Sequence, residues 1–484
     1  MVVMVIEHLE AAFHPRSIAV AGASGNPFSM GYRYVLHLKT YGFRGQVYPI
    51  TPQWSEVLDL KAYPALKDVP GPVDYVICCL PAARVPELLA QCPEKQVKVV
   101  HMFTARLSET GHEDAAKLEM EILRQARELG VRLLGPNCMG LYYPKQGIAF
   151  AYDFPTEPGP VGVFSQSGGA ATEFVYYAAL RGIRFSKVIS YGNALDLDET
   201  DFLEYLSQDG ETRVIASYIE GIKDGRRFLN TLNRATRSKP VIILKAGRSS
   251  AGVRQAASHT AALAGSAKTW EAAIKQAGAI QARTLEELID LVVCFSFLPP
   301  VLGTRVGILG GGGGRSVLSA DEWEEAGFSV VPFPPEIEDE IRKTLPELWW
   351  GWLRNPVDIS IFPEEAHATN LGGKIMRMMA ESPQFDLLIA NITVGGPFSP
   401  MELAAIIGGQ VKEIIEISRK KPVAVVLDTG TLDAGNFDDL RWKCLAEQKA
   451  NLVAAKVPVY SSADQAASAL IRLISYYQRR EAIP

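Results

Sequence analysis

A histidine set in a run of small residues is the feature of this sequence most suited to chemistry: Ser258-His259-Thr260-Ala261-Ala262-Leu263-Ala264-Gly265. A neutral imidazole is a good nucleophile toward phosphorus, because its unperturbed pKa lies at about 6.5. The small neighbours leave room for a phosphoryl group. Two glycine-rich turns elsewhere suit the charge of that group. Ser165-Gln166-Ser167-Gly168 follows the apolar run 161–164, and Gly310 to Gly314 follows the apolar run 306–309. A turn of this kind opens a helix, whose first N–H groups lack intrahelical partners and whose dipole end is positive. That is an anion site. Ser165, Gln166, Ser167 and Gly168, with Gly311, Gly312 and Gly313, are therefore the expected phosphate-binding residues. Glu220 ends the strand-like run Val214 to Ile219. Carboxyl ends of parallel strands face the ligand crevice, so Glu220 is the candidate to orient the imidazole of His259.

A third turn, Gly22-Ala23-Ser24-Gly25-Asn26-Pro27, also follows a strand and opens a helix. Its glycine spacing is not the standard dinucleotide fingerprint. The second strand ends in Ile50-Thr51-Pro52-Gln53, without the acidic residue that a nicotinamide enzyme places on the ribose hydroxyls. A phosphorylated ribose, as in coenzyme A, fits better. A glycine turn used only for tight packing is the plain alternative.

Those motifs need elements to hold them. Short apolar runs alternate with helical patterns along the 484 residues, the mark of parallel sheets covered by helices. Runs at 17–21, 46–50, 73–80, 97–103 and 131–135 read as strands of a first domain, residues 1–148. A second domain, 149–299, has strands near 161–164, 186–190, 213–219 and 240–245 and carries the histidine loop. A third, 300–484, has strands near 305–309, 329–332, 386–394, 422–427 and 458–460. The second and third open alike, on Val-Gly-(Val/Ile) and a glycine turn, and read as two units of one kind. The expected fold is α/β: a Rossmann-like domain followed by two flavodoxin-like parallel-sheet domains.

Bulk composition narrows the function. A net charge of −5 carries no basic footprint, so nucleic acid is not an expected partner. The apolar start, Met1 to Ile6, is too short for a secretory signal, and no stretch is long enough to span a membrane. Six cysteines without metal-type spacing indicate a reduced, cytoplasmic protein and no metal site.

Taken together, the motifs resemble the alpha subunit of nucleoside-diphosphate-forming acyl-CoA synthetases, the ADP-forming acetyl-CoA synthetase type, relatives of succinyl-CoA synthetase. The resemblance covers essentially the whole chain. It is carried by Gly22-Ala23-Ser24 with Asn26-Pro27, Gly135-Pro136-Asn137-Cys138-Met139-Gly140, Ser165-Gln166-Ser167-Gly168, the stretch Tyr218 to Gly225, Ser258-His259-Thr260 and Asn355-Pro356-Val357-Asp358. It implies that acyl-CoA and phosphate give acyl phosphate and CoA, that the phosphoryl group moves to His259, and that it passes on to ADP. It further implies catalytic roles for His259 and Glu220. The implied CoA set is Gly22, Ala23, Ser24, Asn26, Pro27, Thr51, Pro52, Pro81, Asn137 and Cys138. No ATP-grasp region is visible in the chain, so ATP or ADP with Mg is expected on a separate ATP-grasp beta subunit, in a hetero-oligomer or homodimer. The small substrate is a carboxylic acid or its acyl-CoA.

Three positions depart from the family pattern: Arg106 stands for a usual glycine, Gln53 for a frequent lysine and Ala261 for a usual glycine. These motivate a rival reading, a CoA- or acyl-CoA-binding regulatory protein without catalysis. A nicotinamide dehydrogenase is the third.

Overall fold

The computed structural model describes residues 2–252, 254, 267–347, 354–358, 370–393, 399–427 and 440–482. His259 and the small-residue run around it lie outside the described residues. The chain divides into two compact units, residues 1–289 and 290–484.

The first unit starts with helix α1 (Val2–Phe13), followed by β1 (Ser17–Ala21), α2 (Met30–Thr40) and β2 (Gln46–Ile50). A two-stranded hairpin, β3 (Glu56–Val57) and β4 (Leu60–Lys61), precedes β5 (Tyr75–Cys78), α3 (Val85–Gln91), β6 (Val99–Met102), α4 (Glu113–Glu128) and β7 (Arg132–Leu134). Five of these strands form a parallel sheet in the order β2-β1-β5-β6-β7. Its central strands are buried along their whole length, as the unbroken apolar runs predict for a sheet covered on both faces.

The chain then crosses into a second sheet through β8 (Gly140–Tyr142). β9 (Pro158–Ser165), α5 (Gly168–Leu180), β10 (Phe185–Ser190), α6 (Glu199–Gln208), β11 (Val214–Ile219), α7 (Gly225–Ser238), β12 (Val241–Lys245), α8 (Ala267–Gln276) and β13 (Ile280–Ala282) follow. The sheet order is β13-β12-β11-β9-β10-β8. β8 runs antiparallel against β10, while the other strands are parallel. β8 and β13 were not legible in the sequence. Each is three residues long, and neither falls in one of the apolar runs read as strands.

α9 (Leu285–Phe297) spans the boundary between the units in sequence. The second unit continues with β14 (Arg305–Leu309), α10 (Gly313–Glu325), β15 (Ser329–Val330), α11 (Pro335–Thr344), α12 (Leu371–Glu381), β16 (Leu387–Ile392), α13 (Pro400–Ser418), β17 (Val423–Leu427), α14 (Leu440–Ala454), β18 (Val459–Tyr460) and α15 (Ala463–Glu481). Its parallel sheet has the order β15-β14-β16-β17-β18. The core on one face of this sheet is built by Ile375, Met379, Leu388, Val425, Ile414 and Leu452 among others.

Numbered by their parallel strands alone, all three sheets share one order, second-first-third-fourth-fifth. In that doubly wound arrangement the crossovers change direction beside the first strand, and a crevice opens at its carboxyl end. The three glycine turns read from the sequence follow β1, β9 and β14, the first strand of each sheet. The topology puts each of them at a switch point.

Candidate active site

In the first sheet, three of the expected CoA segments meet at the carboxyl ends of adjacent strands. Gly22 follows β1 with φ +88°, a left-handed conformation natural to glycine, and its N–H donates to Ile50 O at 3.0 Å. A Cβ on Gly22 would stand 3.0 Å from the Cys79 backbone at the end of β5. Pro81 therefore lies on one side of this turn and Thr51 on the other. The turn closes on itself: Asn26 N–H donates to Ser24 Oγ, and Asn26 Oδ1 accepts from Phe28 N–H. Ser29 then caps α2 by accepting from Tyr32 N–H. Thr51 is buried and accepts from the Gln53 N–H, while Pro52 is exposed.

A second cluster sits where the first sheet meets the second. Asn137, Cys138, Gln166, Ser167, Gly168 and Glu220, drawn from three separate stretches of sequence, line one cavity of about 330 Å³. Phe103, Met139, Gly169, Gly192 and Asn193 complete its wall. The Asn137–Met139 loop is anchored from both sheets: Asn137 N–H donates to Thr104 O, Met139 N–H to Ser190 Oγ, and Asn193 N–H to Pro136 O. His101 Nε2 bonds Cys138 O at 3.0 Å. As the acceptor is a carbonyl, Nε2 carries the proton. Burial lowers the His101 pKa to about 4, which keeps the ring neutral. Cys138 turns its thiol inward, toward the carbonyls of Met102 and Leu134, and burial pushes the thiol pKa up. It is a wall, not a nucleophile.

The N-terminus of α5 opens on this cavity. Ser167 is the N-cap and its Oγ accepts from Ala170 N–H at 3.2 Å. Gly168 and Gly169, whose first-turn N–H groups have no intrahelical acceptor, border the cavity itself. A Cβ on Gly168 would meet Met139 Cγ at 2.7 Å. Ser165 is buried, and its hydroxyl donates to Ser167 O at 2.7 Å, bracing the turn from below. Gln166 is also buried, and its carboxamide oxygen accepts from both Glu220 N–H (2.8 Å) and Gly221 N–H (3.0 Å).

Glu220 follows β11, at a strand's carboxyl end as its sequence position predicted. Tyr218 Oη donates to its carboxylate at 3.3 Å. Lys245, at the end of neighbouring β12, donates from Nζ to Glu220 O at 2.6 Å. Burial lowers the Lys245 pKa, partly offset by Glu220. β11 and β12 pair Ile219 with Lys245, so the stretch that carries His259 leaves the sheet beside Glu220.

The remaining predicted residues, Gly311, Gly312 and Gly313, belong to the second unit. Gly310 and Gly311 both take positive φ, and Gly312 is an N-cap with no side chain to cap with. The turn is tied to the Asn355–Asp358 segment: Gly310 N–H donates to Val357 O and Val357 N–H to Ile308 O. Asn355 Oδ1 accepts from Ile308 N–H, and its amide donates to Val306 O and Val331 O.

Sequence reasoning missed several members of the cavity. Asn193 lies in the acidic stretch Tyr191 to Glu199, in which Asp198 caps α6 while Asn193 lines the cavity. Met139 was visible only as part of a turn. Phe103 left no local signal.

Comparison with known proteins agrees with this architecture. Residues 16–144 match the CoA binding domain model, and residues 158–295 match the model of the succinyl-CoA ligase like flavodoxin domain. The chain is 39% identical over 424 residues to the acetate–CoA ligase [ADP-forming] II subunit alpha of Pyrococcus furiosus, covering 87% of this chain and 90% of that one. It is 35% identical to the I subunit alpha of the same organism, covering 89% and 92%. The dinucleotide-forming acetyl-coenzyme A synthetase 1 of Ca. Korarchaeum cryptofilum, solved with phosphate and ADP, superimposes with a TM-score of 0.83 at 32% identity, covering 98% of this chain and 97% of that one. The protein is an α/β acid–thiol ligase in class. The chain belongs to the family of ADP-forming acyl-CoA synthetase alpha subunits, the acetate–CoA ligase type. Among the described residues no helix is long and apolar enough to cross a membrane.

Proposed function

We propose that this chain binds acyl-CoA and carries the phosphoryl group in the reversible conversion of acyl-CoA, ADP and phosphate to carboxylic acid, CoA and ATP. The CoA nucleotide lies at the first-sheet edge, against Gly22–Pro27, Thr51–Pro52 and Pro81. Its thioester reaches the cavity past Asn137. A phosphate oxygen attacks the thioester carbonyl, and the thiolate leaves as CoA. The acyl phosphate then gives its phosphoryl group to His259 as the carboxylate departs. ADP, held with Mg on a separate ATP-grasp subunit, takes the group from the imidazole.

The α5 end and Glu220 supply what these steps need. The first-turn amides stabilise the phosphoryl charge; a helix end contributes up to about 2 kcal/mol when partly buried, and direct N–H bonds add to that. A carboxylate accepting the second ring N–H of His259 sets its tautomer and raises its nucleophilicity. We further propose three domains, 1–148, 149–299 and 300–484, the third providing a second anion-binding turn at Gly311–Gly313. The single observation behind this reading is the cavity in which Glu220, the α5 mouth and the Asn137–Met139 loop meet, at the point where the His259 stretch departs from β12.

Incubation with the ATP-grasp subunit and radiolabelled ATP tests it. Acid-labile label on the chain, absent after His259→Ala, is the expected result. Label that persists in that variant overturns the assignment. CoA binding without any label favours the regulatory reading.

A further inference from the structure

The two hydrogen bonds to Gln166 fix more than one side chain. Two adjacent backbone donors, Glu220 N–H and Gly221 N–H, converge on one end of the Gln166 carboxamide. That end must be oxygen, since an NH₂ group there would face two donors. The carboxamide is planar, so an oxygen held on the Glu220 side leaves the nitrogen on the other. Gln166 borders the cavity, and among the described residues its Nε2 donates to no protein acceptor. The same residue is bonded through its backbone to β11, with Gln166 N–H donating to Tyr218 O. It is followed directly by the Ser167 cap of α5. One buried side chain thus joins the helix mouth to the turn that carries Glu220.

We propose that Gln166 is a positioning residue for phosphoryl transfer: its oxygen sets the Glu220 turn against the α5 mouth, and its constrained NH₂ is a donor for the anion in the cavity. This rests on the reading given under Proposed function. The expected phosphate role of Gln166 then belongs to Nε2 alone, because Oε1 is engaged. Phosphate specificity follows from the pairing. A carboxamide offers an anion a donor, whereas a carboxylate in the same place would keep the two backbone bonds and repel it.

Two substitutions separate the two roles. Gln166→Glu retains an acceptor for Glu220 and Gly221 and replaces the donor with a charge. Gln166→Leu removes both. Inorganic phosphate is titrated calorimetrically into each chain, CoA is titrated as a control, and kcat and KM for phosphate are measured with the ATP-grasp subunit. Gln166→Glu is expected to melt as the unaltered chain does, to bind CoA equally, and to weaken phosphate about ten-fold or more, with KM affected more than kcat. Gln166→Leu is expected to lower kcat as well, since Glu220 loses its anchor. Phosphate affinity and kcat within two-fold of the unaltered chain in both variants overturn the proposal, as does equal phosphate affinity in Gln166→Glu, which is read without turnover. If the unaltered chain binds CoA and phosphate but never takes up label, the phosphohistidine reading falls while the titrations still judge Gln166.

Discussion

The turns after β9 and β14 begin from the same backbone plan and arrive at different ends. Both follow the first strand of a sheet with the same strand order, and both open a helix. At Ser165–Gly168 side chains do the work: Ser167 caps, Ser165 braces and Gln166 reaches across to Glu220. At Gly310–Gly313 there is no capping side chain, and backbone geometry takes over, with two consecutive residues at positive φ. A Cβ on Gly310 would stand 2.2 Å from Asn391 O, a backbone atom, whereas one on Gly168 would meet the flexible Met139 side chain. The position next to Gly313 is also different. Asp358 Oδ2 lies 3.3 Å from where its Cβ would be, so a carboxylate already stands near the mouth of α10. The switch point therefore supplies a helix end, and the neighbouring strands decide what chemistry it can do.

This contrast can be broken at several points, with effects of decreasing size. Gly310→Ala combines a left-handed backbone with a clash against fixed backbone and should cost at least about 3 kcal/mol, read as a lowered denaturation midpoint. Gly168→Ala, its counterpart, should cost far less stability while shrinking the cavity. Equal losses would show that the two turns are equally rigid. Glu220→Gln should leave the fold intact and cut phosphoenzyme formation about a hundred-fold, near 2.7 kcal/mol in barrier. A rate within three-fold of normal would remove Glu220 from the mechanism.

Glu199 gives a pH test of the ground beneath the α5 cavity. Its carboxylate is buried at the start of α6 and accepts from Lys223 N–H, three residues after Glu220. Burial, reinforced by Asp198, raises its pKa to about 7. The folded protein thus holds a proton that the unfolded chain gives up near 4.5. This favourable linkage is complete below the unfolded value and is lost as pH rises through about 7. Glu199→Gln should therefore flatten the fall in stability between acidic and mildly alkaline pH by about 2 kcal/mol. Parallel stability–pH curves for the two proteins would contradict this. The smallest effect is at the cap: Ser167→Ala should cost about 1 kcal/mol, measurable by chemical denaturation. Gly312 has no side-chain bond to lose, so its replacement by serine tests whether a cap can be added.

The strands and the three switch-point turns were legible because burial on both faces writes continuous apolar runs, and because a strand-to-helix turn needs small residues at fixed places. Glu220 was legible from its position at a strand end. The edge strands β8 and β13 were not, since neither falls in such a run: β8 begins at the last residue of the glycine- and proline-containing stretch Gly135 to Gly140. Nor was the bond from the Ser165 hydroxyl to Ser167 O, since a serine hydroxyl has many possible partners.

Residue order alone thus determined the α/β class, the family, and the short list of groups able to act on a phosphoryl group. It could do so because periodicity and local turn chemistry are properties of neighbours along the chain. Only the tertiary structure decided that Asn137, Gln166, Gly168 and Glu220 share one cavity, and that the Gln166 oxygen is engaged by the Glu220 and Gly221 amides. Those relations join residues more than fifty positions apart in the case of Gln166 and Glu220. They follow from the strand order of the folded sheet, which no local pattern records.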